Sequence, residues 1–270
     1  MSTPSPASAL PSSARRAESD TVRLLEEDPD LGELLAPERY AEATEALVVR
    51  VQRLPVGAWD VSRLRTLGAG HVGLLLLDGV LARDVIVADL VSAELLGPGD
   101  LVRPWGDPDG ESSLLPVDVE WWVLSAARVA VLDRSFAMRS ARWPEITAAL
   151  FQRQSERVLR LATQQAVSQL TRVDRRLLAL FWHLAERWGR VGAEGLVVPL
   201  ALTHRILGQL IGARRPTVST ALGELAERGE LVRRGDGSWL LRGEPPEALT
   251  KPSARRRAQD LLRAGEAGLG

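Results

Sequence analysis

The chain of 270 residues carries 34 Lys+Arg against 35 Asp+Glu, 45% hydrophobic residues and no cysteine. Its length suggests about two domains with a substantial core, and its net charge of −1 excludes a globally basic protein. The missing thiols exclude disulfides, thiolate metal sites and cysteine-ligated iron–sulfur clusters.

Residues 1–18 are rich in Ser, Pro and Ala and read as a disordered tail. They lack the apolar core of a secretory signal. No apolar run approaches the roughly 20 residues of a membrane span. A cytoplasmic protein with no membrane partner is expected. "DTVRLLEEDPDLGELL" has short helical periodicity, broken at Pro29. "ALVVRVQRL" predicts a strand and "PVGAW" a turn. In "HVGLLLLDGVLARDVIV", Asp78-Gly79 between apolar runs predicts a hairpin. "AELL" and "GPGDLV" predict a strand pair turning at Pro98-Gly99-Asp100, and "VEWWVLSAARVAVLD" two more strands. Short strands at regular spacing suggest a small barrel or sandwich. Trp121 and Trp122 are adjacent, so one faces inward and the other outward, toward the long helix or the N-terminal segment.

From Trp143 to Leu170 the pattern is helical, with no glycine, and would span roughly 40 Å. Ile146, Leu150, Phe151, Val158, Leu161 and Ala162 form an apolar stripe, interrupted by Gln154 and Gln165. Either a core helix or a dimer seam fits this pattern, and the apolar residues flanking the stripe favour the seam. "VDRRLLALFWHLAERWGR" is a second amphipathic helix.

"GARRPTVSTALGEL", residues 212–225, opens with two arginines at the end of a helix where the dipole is already positive. By itself the stretch fits an ordinary surface helix with a charged start, whose dipole gains nothing from the two arginines. An external phosphate does, because free N–H groups, dipole and guanidinium all attract it. Pro216 suits a first helical position, and Val218, Ala221, Leu222 and Leu225 form one buried face. Thr203 is the expected N-cap of a preceding helix that runs to about Leu210. Gly208 permits close helix approach, and Gly212 suits positive φ in the turn. The spacing is that of a helix-turn-helix. "ELVRRGDGSWLL" adds a hairpin wing, with Arg233 and Arg234 just before its turn. Residues 203–257 hold 11 Lys+Arg against 6 Asp+Glu, so this part is positive by 5 while the rest is negative by 6. Inserted N-terminus first into a major groove, the second helix would bring Arg214 and Arg215 to phosphate or guanine edges.

These residues resemble the Crp/Fnr (cyclic-AMP receptor protein / fumarate-nitrate reductase regulator) family over about 45–242, most closely in "LTHRILGQLIGARRPTVSTALGELAERGELVRRGDGSWLL". The resemblance implies an α+β fold with a cyclic-nucleotide-binding-like β-roll (a jelly-roll barrel) at 19–142. It further implies a dimerisation helix at 143–172, a winged helix-turn-helix at 173–243 and a flexible tail at 244–270. It implies a homodimeric bacterial transcription regulator that binds double-stranded DNA at an inverted repeat, with RNA polymerase as a partner. Arg215 matches the first arginine of the family's base-reading motif, whereas Pro216 and Thr220 replace its Glu and second Arg. Thr203, His204, Arg205, Arg214 and Thr217 match phosphate contacts, and Ser219, Arg233 and Arg234 complete the expected DNA-binding set. In the β-roll, Arg103-Pro104 stands where cyclic-nucleotide binders carry Gly-Glu, and no Arg-Ser pair follows before the next strand. Cyclic AMP is therefore not the expected effector. Arg103 and Trp105 are candidates to line a remodelled pocket, although barrel packing for Trp105 and a surface or salt-bridge place for Arg103 account for them more simply. No other cofactor is expected.

No catalytic residue or metal site is expected. His71, His183 and His204 lie in separate elements, and no GxSxG, Walker or GxGxxG motif is present. The competing reading is a small-molecule-binding or enzymatic barrel whose winged helix mediates protein contacts.

Overall fold

The computed structural model describes residues 20–62, 64, 70–104 and 114–246. Strand β1 (Asp20–Arg23), helix α1 (Leu24–Glu27), a 3-10 turn (Pro29–Gly32) and helix α2 (Pro37–Ala46) lead into β2 (Val48–Leu54) and β3 (Gly57–Ala58). The body of the β-roll is β4 (Gly73–Val87), β5 (Leu90–Leu96), β6 (Leu101–Val102) and β7 (Asp118–Leu132). The sheet runs β1-β2-β7-β4-β5, with β3 on β7 and β6 on β4, and all its pairings are antiparallel.

The predicted hairpin at Asp78-Gly79 does not exist. β4 passes straight through it, and the true reversal into β5 is the two-residue turn Ala88-Asp89, with Ala88 at φ 54°. Gly79 instead marks a bulge where the β4–β7 register slips. It sits at φ 84°, and a Cβ there would lie 2.5 Å from the Ala127 Cβ. The freed Asp78 carboxylate accepts the Arg128 backbone N–H at 2.8 Å and Arg128 Nε at 2.5 Å. A hairpin and a glycine bulge share one local signal, and only the partner strand distinguishes them. "VEWWVLSAARVAVLD" is likewise one strand, β7, rather than two. β5 and β6 each pair with β4, not with each other. Helix α2 was not foreseen.

Strand alternation divides the core. Leu74, Leu76, Leu81, Trp121 and Val123 fill the roll interior. Leu75, Leu101, Ala130 and Leu132 face a second cluster built from the N-terminal helices and Phe136, Trp143, Ile146 and Leu150. Ala82, Ala93 and Leu95 face the C-terminal helices, with Val80, Trp122 and Leu124 packed beside them. Trp121 is thus the inward tryptophan. Trp122 points at the winged domain, not at the long helix or the N-terminal segment as expected.

After α3 (Arg134–Ser140) comes the long helix α4 (Pro144–Ser168), then α5 (Val173–Trp188). The remaining elements are β8 (Arg190–Gly192), β9 (Gly195–Val198), α6 (His204–Ile211), α7 (Arg215–Glu227), β10 (Leu231–Arg233) and β11 (Trp239–Leu241). The last four strands form one antiparallel sheet, β10-β11-β9-β8. The β8–β9 hairpin was missed because its strands are only three and four residues long.

Candidate DNA interface

Helix α6 begins where expected. The Thr203 side chain accepts the Ile206 N–H at 3.2 Å, closing the N-cap. Gly212 ends the helix at φ 65°, a left-handed C-cap. Gly208 lies against the turn: a Cβ there would come within 2.5 Å of the Ala213 carbonyl oxygen. Val218, Ala221, Leu222 and Leu225 are buried and bring α7 onto α5 and α6. Arg215 takes the first helical position and Pro216 the second, one residue later than expected.

The N-terminus of α7 has no side-chain cap and no acidic residue in its first turn. Its orphan N–H groups and its dipole therefore face outward beside Arg214 and Arg215, both exposed. Arg205 joins these two around a cleft of about 870 Å³ between the helix-turn-helix, α4 and the β4–β5 hairpin. Among the described residues, Arg205, Arg214, Arg215, Arg233 and Arg234 have no carboxylate at ion-pair distance. Nearby Arg172 and Arg228 both pair with Asp174, at 2.9 and 3.2 Å. Basic residues on this face are thus left free, while those behind it are neutralised.

Ser219 and His204 hold each other. The Ser219 Oγ lies 2.8 Å from His204 Nδ1 and 3.1 Å from the Arg215 carbonyl oxygen. This contact locks α6 against α7. Thr220 donates back to the Pro216 carbonyl at 3.3 Å, and Thr217 is exposed. The wing turn is fixed by Asp236, which accepts the Ser238 N–H at 2.9 Å and its hydroxyl at 2.6 Å. Those bonds, the hydroxyl one first, hold the Asp236 carboxyl below its ordinary pKa. Arg233 stacks over Trp239 at 5.7 Å, and Arg234 is exposed beside it on the wing.

Sequence reasoning missed Arg176 in the first turn of α5. Its guanidinium donates to the Leu170 carbonyl and lies 3.4 Å from the Ile211 and Gly212 carbonyls, anchoring the turn that carries Arg214. A cation placed to meet helix C-terminal carbonyls was the available signal.

Arg103 donates to the His71 carbonyl at 2.9 Å and lines a cleft of about 770 Å³ with Trp59, Arg83 and Trp121. Trp105 lies outside the described residues, as do residues 1–19 and 247–270 of the expected tails. Among the described residues no group of three His, Asp or Glu side chains could hold a metal, and no helix is long and apolar enough to cross a membrane.

Residues 171–245 match the Crp-like helix-turn-helix domain. The chain is 30% identical over 171 residues to the regulatory protein CysR of Synechococcus elongatus, covering 61% of this chain and 71% of that one. It is 31% identical over 146 residues to the CRP-like cAMP-activated global transcriptional regulator of Mycobacterium tuberculosis, covering 52% and 62%. A cyclic nucleotide-binding domain containing protein from Listeria monocytogenes shares the fold at 16% identity, TM-score 0.57, covering 79% and 96%.

Proposed function

Because this chain belongs to the Crp/Fnr family of DNA-binding transcription regulators, we propose that it binds an inverted-repeat operator as a homodimer, reading one half-site with each α7. The carrying observation is the set of five arginines, around the open N-terminus of α7 and on the wing, that have no carboxylate at ion-pair distance among the described residues. Arg215 reads a guanine edge, bidentately where geometry permits. Arg214, Arg205 and the wing pair Arg233 and Arg234 hold phosphate, with Thr203, His204 and Thr217 beside them. Pro216, Ser219 and Thr220 shape the helix edge that meets the groove.

The dimer is supported by the inverted amphipathicity of α4. Phe151, Val158 and Leu159 are 71%, 65% and 66% exposed, while its arginines face the roll. A soluble helix places its apolar stripe in water only where a partner covers it. A second copy laid along this stripe would set half-sites about 34–36 Å apart. RNA polymerase is the further partner and the cytoplasm the site of action.

Cyclic AMP is not the effector in the family's manner. Pro104 has no carboxylate to offer a ribose, and Arg103 is engaged with the His71 carbonyl. The regulator is not an enzyme.

The test is selection from random duplexes at two salt concentrations. An enriched inverted repeat supports the reading. Salt-sensitive binding without any enriched repeat refutes sequence-specific recognition by the protein alone and leaves a missing effector or another partner for the winged domain.

A further inference from the structure

The face of α4 turned to the β-roll carries Arg153, Arg157, Arg160 and Gln164, a spacing that keeps all four on one side of a helix. The chain itself satisfies each of them. Arg153 donates to Asp28 at 2.7 Å, Arg160 to Asp100 at 2.5 Å and Gln164 to the Ala93 carbonyl at 2.7 Å. Arg157 is held most completely: its Nε and one terminal nitrogen reach the two oxygens of Glu94 at 2.7 and 2.9 Å. Its other terminal nitrogen donates to the Leu101 carbonyl at 3.2 Å. Arg83 adds a contact to Glu94 at 2.7 Å, and the Glu94 side chain is 7% exposed.

We propose that Glu94 is a built-in counter-ion that bridges the β-roll to the long helix, so that this protein binds its operator without a small anionic effector. The proposal rests on the operator-binding dimer described above. A carboxylate bidentate on a guanidinium is the arrangement an anionic ligand would have to form with Arg157, and here the chain supplies it. An incoming anion must displace a tethered group, which competes at a high effective concentration.

Burial lowers the Arg83 pKa, and the Arg157 charge lowers it further, against the pull of Glu94. The Glu94 carboxylate lies between the two guanidinium ions and offsets their repulsion. The link continues to the DNA-binding domain. Ala93, next to Glu94 on β5, accepts Gln164, and the same Gln164 nitrogen lies 3.1 Å from the Leu210 carbonyl in α6. Asp100 adds a parallel tie, taking Arg160 of α4 on one oxygen and Arg187 of α5 on the other, the latter at 2.7 Å. The seat of α4 on β5 is thus passed to the helix-turn-helix through contiguous hydrogen bonds. Glu94 touches no DNA and is a positioning residue.

The test uses the full-length protein, its selected inverted repeat and two readouts. Native mass spectrometry of the operator complex should give the mass of two chains plus duplex. An added small-molecule mass on each protomer overturns the proposal while leaving the regulator reading intact. By fluorescence anisotropy, Glu94→Gln should bind the repeat at least tenfold more weakly while remaining dimeric, and Glu94→Asp should recover most of that loss. Wild-type affinity in Glu94→Gln overturns the proposal, as does an unfolded Glu94→Gln accompanied by a folded Glu94→Asp that binds no better than background. Failure of the wild type alone to select any repeat overturns this proposal, and failure that persists with small anions added removes the regulator reading as well.

Discussion

One substitution made on two adjacent helices should have opposite signs. In a helix interior Ala is favoured over Gly by about 1 kcal/mol. At Gly223, exposed on α7, an added Cβ meets nothing within 4 Å, so Gly223→Ala should stabilise by up to about 1 kcal/mol. At Gly208 the added Cβ would stand 2.5 Å from the Ala213 carbonyl oxygen, roughly 0.8 Å short of an ordinary C···O contact. That oxygen is backbone, and its residue is held on the other side by the Ala213 N–H donating to the Gly208 carbonyl at 2.9 Å. Rotamer change cannot relieve the clash, and overpacking of this kind costs about 1–3 kcal/mol. The net for Gly208→Ala is a loss of up to about 2 kcal/mol after the propensity gain is subtracted. Scanning calorimetry reads this as a shift of about 4–8 °C per kcal/mol in a domain of 60–100 residues. Operator affinity should fall too, because the displaced peptide immediately precedes Arg214. A Gly208→Ala protein stabilised as much as Gly223→Ala would refute the close-approach argument.

Arg215→Ala should cost about 1–3 kcal/mol on the best operator and relax preference at one base pair, checked by competition binding. Arg214→Ala should weaken all sequences alike and reduce the salt slope by about one, checked by anisotropy across a salt series. Val158→Asp combined with Leu159→Asp should yield monomers in sedimentation velocity, because each removes an exposed apolar group worth about 1.5–3 kcal/mol when covered. Asp84, 3% exposed on β4, has its carboxyl pKa raised by burial, against the pull of Arg205 and the Gln209 hydrogen bond. A raised carboxyl pKa disfavours the folded state above that pKa, and the penalty fades as pH falls through it. Asp84→Asn should therefore raise the thermal midpoint at pH 7 and lose that advantage in acid, read by thermal unfolding at several pH values.

The helix-turn-helix was legible in the sequence because its signals are local. Thr203 caps, Gly212 adopts positive φ, and the stripe from Val218 to Leu225 follows the helical period whatever surrounds it. The long helix was equally plain. Tertiary structure decided what local signals leave degenerate. Asp78-Gly79 reads as a turn, yet β7 keeps β4 extended and converts it to a bulge. Strand alternation fixed that one of Trp121 and Trp122 faces inward, but which one, and what the other meets, depended on register and on the position of the winged domain. The inward face of α4 was the largest surprise. Its arginines look like a solvated face in sequence, and only the carboxylates of Asp28, Glu94 and Asp100 make it an interior one. Those partners lie 60 to 125 residues away in the chain, and charge pairing over such separations is specified by three-dimensional proximity, which no local pattern encodes.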